Sequence, residues 1–241
     1  MVLRHVAVYA YITPPRPMFE KMLAGWSEAE REEARVKADS QQHEFWSKLG
    51  PLQAQLSPWE QKFAQSTMLT MSHAQQIAAI WRAESLRVLL WALGLVSEML
   101  PYDTEAGDRA MKAFPGEELH QAAAGAGALR NPEVLEDARS TAELWHWRAR
   151  TWQLVQQGRS FPGNAQARAA GFHSFDDVVR FAAKGAADKG TIPEPLDEDF
   201  PAFGKPYRNL SGDEWSQARS IAMERHFALN WLCGYAPGCR W

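Results

Sequence analysis

Charged side chains stand among tryptophans in three segments with helical spacing. Trp81 to Leu100 reads WRAESLRVLLWALGLVSEML, Glu143 to Gln157 reads ELWHWRARTWQLVQQ, and Ala218 to Cys233 reads ARSIAMERHFALNWLC. In the first, Glu84, Val88, Trp91 and Leu95 recur at i, i+4, i+7 and i+11, which sets Glu84 on the apolar stripe. In the second, Trp145, Arg148 and Trp152 share a face. In the third, Glu224, Ala228 and Trp231 align, with His226 and Asn230 one turn apart on a neighbouring stripe. Two carboxylates and a guanidinium are thus directed inward, where an unpaired charge is costly.

This set has three readings. In a structural network, Arg148 bridges Glu84 or Glu224, while His226 and Asn230 satisfy backbone or indole groups. In a pocket, Glu84, Glu224 and His226 are the catalytic candidates for general acid and base work, and Arg148 binds an anionic substrate. A metal site is the third reading, and its signal is weak. No segment carries two His at i, i+4 around a Glu, and His43, His120 and His226 are isolated. Gly125 and Gly127 follow no strand and lack a phosphate-loop Lys. No Ser sits in a nucleophile elbow, and neither Cys has a context that activates a thiol. No metal and no cofactor are expected.

Composition narrows the function classes. The 241 residues are enough for a sizeable core, and 46% apolar with 23% charged residues is ordinary for a globular protein. A net charge of -3 argues against a dedicated nucleic-acid binder, which usually carries a basic surface. The 11 tryptophans are expected mostly in the core. Cys233 and Cys239 are too few for a disulfide scaffold, so a reducing compartment, the cytoplasm, is expected. The N-terminal run is broken by Arg4 and His5 and makes no convincing signal peptide. Ser85 to Leu100 falls short of a membrane span.

Caps and periodicity locate the elements. Ser27 with Glu30, Ser57 with Pro58 and Glu60, and Ser211 with Glu214 read as helix starts. Ser174 caps a helix over His173 to Ala187, and Asn131–Pro132–Glu133 opens one that runs to about Gln157. A further helix is expected over Ile77 to Leu100, with Pro101 to Arg130 as a long connection containing irregular short helices. Leu3 to Ile12 suits either a short strand or a helix. Gly158 to Gly171 reads as a loop. Gly190 to Asn209, with four prolines, is too Pro-rich for regular structure and reads as a surface loop. The expected fold is all-α, an irregular bundle of about six to eight helices with room for one short N-terminal strand. The expected organisation is a single helical domain over 1–241.

The runs LSPWEQKF, WRAESLRVLLWALGLV, LRNPEVLEDARSTAELWHWRARTWQLV and MERHFALNWLCGY resemble the bacterial domain-of-unknown-function family 4272. The resemblance spans roughly 56–235, with 1–55 as an N-terminal extension packed on that core. It implies a mostly helical bacterial protein and no established activity. The positions matching its pattern are Trp81, Arg82, Glu84, Trp91, Trp147, Arg148, Glu224, Arg225, His226, Asn230 and Trp231. Of these, Arg82, Trp147, Arg225 and Asn230 join the candidate set as binding positions. The chain departs from the family at its end: APGCRW stands where an acidic tail containing Trp-Asp is expected.

Three functions follow as expectations. The first is a non-catalytic protein-binding protein, of immunity or adaptor type, whose partner is encoded nearby. The second is an enzyme with a buried Glu/Arg/His pocket. The third is a small-molecule sensor with a Trp-lined cavity. No nucleic-acid or membrane partner is expected.

Overall fold

A computed structural model describes residues 16–67, 69–115 and 129–235. The Leu3 to Ile12 stretch, Gly125, Gly127, Cys239 and Trp241 lie outside the described residues. The fold is all-α, with nine α-helices and one two-stranded antiparallel sheet among the described residues. The helices are α1 Arg16–Ala24, α2 Glu28–Leu49, α3 Pro58–Ala64, α4 His73–Ala92, α5 Gly107–Ala113, α6 Pro132–Gln156, α7 Ala165–Ala169, α8 Phe175–Asp188 and α9 Gly212–Leu232. No helix among the described residues is long and apolar enough to cross a membrane.

Capping chemistry sets most of the helix starts. Ser27, Ser57, Ser174 and Ser211 each accept from a backbone N–H three residues on, and the side chain at that position bonds back to the cap. Each such cap is worth about 1 kcal/mol. A fifth box, Ser72 with Gln75, starts α4 four residues before the expected Ile77. Helices α1 and α7 were not anticipated. They open on Pro17 in the first turn and on an Asn164 cap within the expected 158–171 loop.

Helix α4 also ends early, at Ala92 instead of Leu100. Gly94 takes φ +73, its N–H donates to the Trp91 carbonyl, and the Leu95 N–H reaches back to the Leu90 carbonyl. These two bonds form a Schellman stop. The apolar run beyond Gly94 favours continuation, but the glycine makes the reversal cheap. Nothing lies within 4 Å of a Cβ added at Gly94, so the cost of Gly94→Ala is the strain of placing a side chain on left-handed backbone. The expected cost is about 1–2 kcal/mol in urea unfolding, with no change in the helical circular dichroism signal.

The described residues group into two compact units. One comprises the described parts of Met1–Met99 and Ala106–Arg130 and holds α1 to α5. Its core clusters Leu49, Phe63, Ala64, Met71 and Ala79, with Trp46 and Trp59 packed against them. Arg130 caps the end of α4. Its guanidinium donates to the carbonyls of Trp91, Val96 and Ser97 and lies 4.9 Å from the Trp91 ring.

The other unit comprises Leu100–Glu105 and Asn131–Cys233. Helices α6 and α9 run antiparallel, since His146 meets His226 while Trp152 stacks on Trp215. Buried alanines 149, 218 and 222 keep the pair close, and the Trp215 indole N–H donates to the Ala149 carbonyl at 3.0 Å.

The Pro-rich segment overturns the expected surface loop. Ile192, Asp199, Phe200, Ala202, Tyr207 and Leu210 are all buried, most of them in the same core cluster as Trp145. Strands β1 Pro201–Ala202 and β2 Lys205–Pro206 pair across a turn in which Phe203 and Gly204 take positive φ. The four prolines themselves are exposed or half-buried, and the side chains between them carry the segment into the core. Asp199 accepts the backbone N–H groups of Phe200 and Arg208 at 2.8 Å each.

Candidate functional site

Glu84 belongs to the first unit and Arg148, Glu224 and His226 to the second. Glu84 is buried in α4, and its Oε1 accepts the backbone N–H of Ala106 at 2.5 Å. Arg82 is buried nearby on the same helix, with its guanidinium 5.2 Å from the Trp59 ring. Both side chains hold local structure in their unit.

Arg148 is paired, though not with Glu84 or Glu224. Its Nε and Nη2 donate to the two carboxylate oxygens of Asp199, both at 2.7 Å. The pair is buried, with side-chain exposures of 4% and 0%. The Arg148 guanidinium lies 4.7 Å from the Tyr207 ring, and Arg208 reaches the same carboxylate from the outside at 3.4 Å. Burial pushes the Asp199 carboxyl up. The Arg148 hydrogen bond and charge, with the backbone N–H groups of Arg208 and Phe200, outweigh it and hold the group below the ordinary carboxylate range. A bidentate fork with this geometry leaves little of the guanidinium for an anionic substrate. Burial raises the Tyr207 hydroxyl well above its ordinary value, which disfavours it as a base.

Glu224 and Arg225 are both buried in α9. Arg225 donates to the carbonyls of Leu100 and Pro101 and, at 2.8 Å, to that of Thr104, and it lies 5.0 Å from the Tyr102 ring. It therefore pins the 100–104 segment. Trp147 is partly buried, 6.5 Å from Phe200 between ring centres.

The polar groups that remain accessible lie along one face of the α6/α9 pair. His146 Nδ1 stands 3.1 Å from His226 Nδ1, and His226 Nε2 stands 3.0 Å from Asn230 Nδ2. Arg139, a few turns along α6, bridges Glu136 and Glu143 at 2.7 and 2.8 Å. Cys233 is near Glu136, and its thiol is raised first by burial and then by that carboxylate, so it is a poor nucleophile. Cys239 lies outside the described residues.

Both imidazoles are held below the ordinary histidine value. Burial is the main cause for each. The charges of Arg219 and Arg150 add to it at His146, and His146 itself adds to it at His226. The folded chain thus binds fewer protons than the unfolded chain. Stability from this pair is complete above about pH 6.5 and is lost as pH falls through the lowered folded values. Urea midpoints measured between pH 7.5 and 5 are expected to fall with pH, and a His146→Gln/His226→Gln variant is expected to flatten that slope.

Of the eight sequence candidates, His226 and Asn230 are brought into direct contact. Sequence reasoning missed Asp199, Tyr207 and His146. The sole signal for Asp199 was indirect: an inward Arg148 requires a carboxylate. His146 faces the same way as Arg139 and Glu143, a stripe that was legible but unused.

The comparisons with known proteins bear on the family alone. A family model described as "Domain of unknown function (DUF4272)" matches residues 23–170. The match takes in the charged helix α2 and stops short of the segment carrying Asp199 and Tyr207. No curated protein and no solved structure matches the chain. With more than half of its length under that one model, the chain belongs to the DUF4272 family.

Proposed function

We propose that the chain is a non-catalytic protein-binding protein, of immunity or adaptor type, acting in the cytoplasm of a bacterium on a partner encoded nearby. The observation that carries this reading is the exposed ring of Phe181 on α8, with the half-buried rings of Phe161, Phe172 and Phe175 in the same stretch of chain. Phe181 is 68% exposed and meets Phe172 edge to face at 5.3 Å, and Phe161 meets Phe175 in the same way at 5.5 Å. Exposed aromatic rings held in place by neighbours are the usual anchors of protein interfaces. Support also comes from Glu84 Oε1, which accepts from Ala106, and from Arg148 Nε and Nη2, which are held by Asp199.

Phe181→Asp tests this surface. At 68% exposure the change is expected to leave stability within about 0.5 kcal/mol of the parent. Tagged wild-type chain purified from its host is expected to carry one stoichiometric protein partner, visible by native mass spectrometry. Phe181→Asp is expected to lose it. Undiminished capture by Phe181→Asp, or the absence of any stoichiometric partner, would overturn the reading.

A further inference from the structure

We propose that Arg219 and Arg150, beside the stacked indoles of Trp215 and Trp152, form a docking site for an acidic peptide segment of a protein partner. The inference rests on the protein-binding reading and names the chemistry of that partner. Four arginines of this unit are buried or half-buried: Arg139, Arg148, Arg219 and Arg225. Arg139 is held by two carboxylates, Arg148 by Asp199 and Arg225 by three carbonyls. Arg219 has no hydrogen bond and no ion pair among the described residues, and none of its nitrogens is sealed from solvent. Its guanidinium lies 5.6 Å from the Trp215 ring centre, and Trp215 stacks on Trp152 at 4.7 Å. Contact with an indole steadies a guanidinium without using its N–H donors, so the fork stays ready for a bidentate carboxylate. A cation that has given up part of its water without gaining an anion carries a cost that an acidic ligand relieves.

Arg150 supplies the second cation. The α6/α9 seam is pinned where His146 meets His226 and where Trp152 meets Trp215. Between those contacts, Arg150 stands one turn beyond His146 on α6, and Arg219 one turn beyond Trp215 on α9. Both charges act on the His146 ring, so both guanidiniums are its neighbours. Arg150 is exposed, and its side chain bonds Gln153, not a carboxylate. Glu143, the acid on the same stripe of α6, is already held by Arg139 at 2.8 Å. The α9 stripe of Trp215, Arg219, His226 and Asn230 carries no acid. This face is therefore positive on a chain whose net charge is -3. Two cations on helices whose axes pack about 8–10 Å apart suit two carboxylates spaced along one peptide better than a single oxyanion. A nucleic-acid backbone would need a broader basic surface than two arginines offer.

A fluorescein-labelled octaglutamate peptide, titrated with the full chain at low salt and followed by anisotropy, tests the site. The wild type is expected to bind it, more weakly as salt rises, and to leave the octaglutamine peptide unbound. Arg219→Gln is expected to weaken binding about ten-fold or more, and Arg150→Gln to weaken it in the same direction. Lys189→Gln removes the same charge from an exposed position at the end of α8 and is expected to bind as the wild type does. No binding by the wild type, undiminished binding by Arg219→Gln, or equal weakening by Lys189→Gln would overturn the proposal. In the wild type, the Nε–H proton signal of Arg219 is expected to shift as octaglutamate is added. An unmoved signal would overturn the site whether or not the variants fold. Phe181→Asp is expected to keep the peptide, so the two ideas fail separately. Host capture that yields no partner counts against the protein-binding reading, and a peptide indifferent to Arg219 counts against this site.

Discussion

Arg148→Met is expected to cost the protein about 3–5 kcal/mol and to lower its melting temperature by roughly 10 °C. The replacement fills the volume of the arginine stem but leaves Asp199, at 0% exposure, without its bidentate partner. The carboxylate keeps two backbone N–H donors, from Phe200 and Arg208, and the outer contact with Arg208. Those bonds, with the Arg208 cation at 3.4 Å, soften the loss without replacing the buried bidentate partner. With the guanidinium gone, burial drives the Asp199 carboxyl above its unfolded value. The deficit is then smallest in acid and grows as pH rises through the raised folded value. Urea unfolding at pH 4.5 and pH 7.5 checks both the size and the pH dependence.

Arg225→Met is expected to cost about 3 kcal/mol or more. The side chain is fully buried and bonds the carbonyls of Leu100, Pro101 and Thr104, all from one segment. A charged donor contributes more than a neutral one, and deleting it takes the shared donor from three carbonyls of one segment at once. Tyr102, stacked on Trp145 at 5.2 Å, loses its cation as well. The loss is therefore expected to appear in near-ultraviolet circular dichroism as relaxed aromatic packing. Intact far-ultraviolet signal would show that the helices persist.

The helical class and the helix starts were legible because they rest on local chemistry. Ser27, Ser57, Ser174 and Ser211 each bond a residue three positions away, so a short window of sequence contains both partners. The end of α4 was misplaced because the apolar run through Leu100 outweighed Gly94, whose stop depends on bonds made only once the helix exists. The Pro-rich segment was misread for a different reason. The prolines there stay exposed or half-buried, while Ile192, Asp199, Phe200 and Tyr207 between them are buried, so proline content alone did not mark where the segment turns inward.

The candidate site was legible in direction but not in pairing. Periodicity placed Glu84, Arg148 and Glu224 inward, and all three are buried. It could not say that Arg148 would meet Asp199, 51 positions along the chain, because that contact depends on how the Pro-rich segment folds back. Asn230 and His226 were found together because they are one turn apart on α9. His146 comes from α6, and no spacing rule links it to them.

In the proposed reading, the inward charges hold the fold and leave interaction to the surface. A double-mutant cycle on Arg148 and Asp199, read by urea unfolding, tests it most directly. Arg148→Met and Asp199→Leu are each expected to lose several kcal/mol, and the double variant, which buries no unpaired charge, is expected to lose less than either alone. Single variants with wild-type midpoints and no coupling would contradict the claim and return Arg148 to the role of a guanidinium free to bind a substrate.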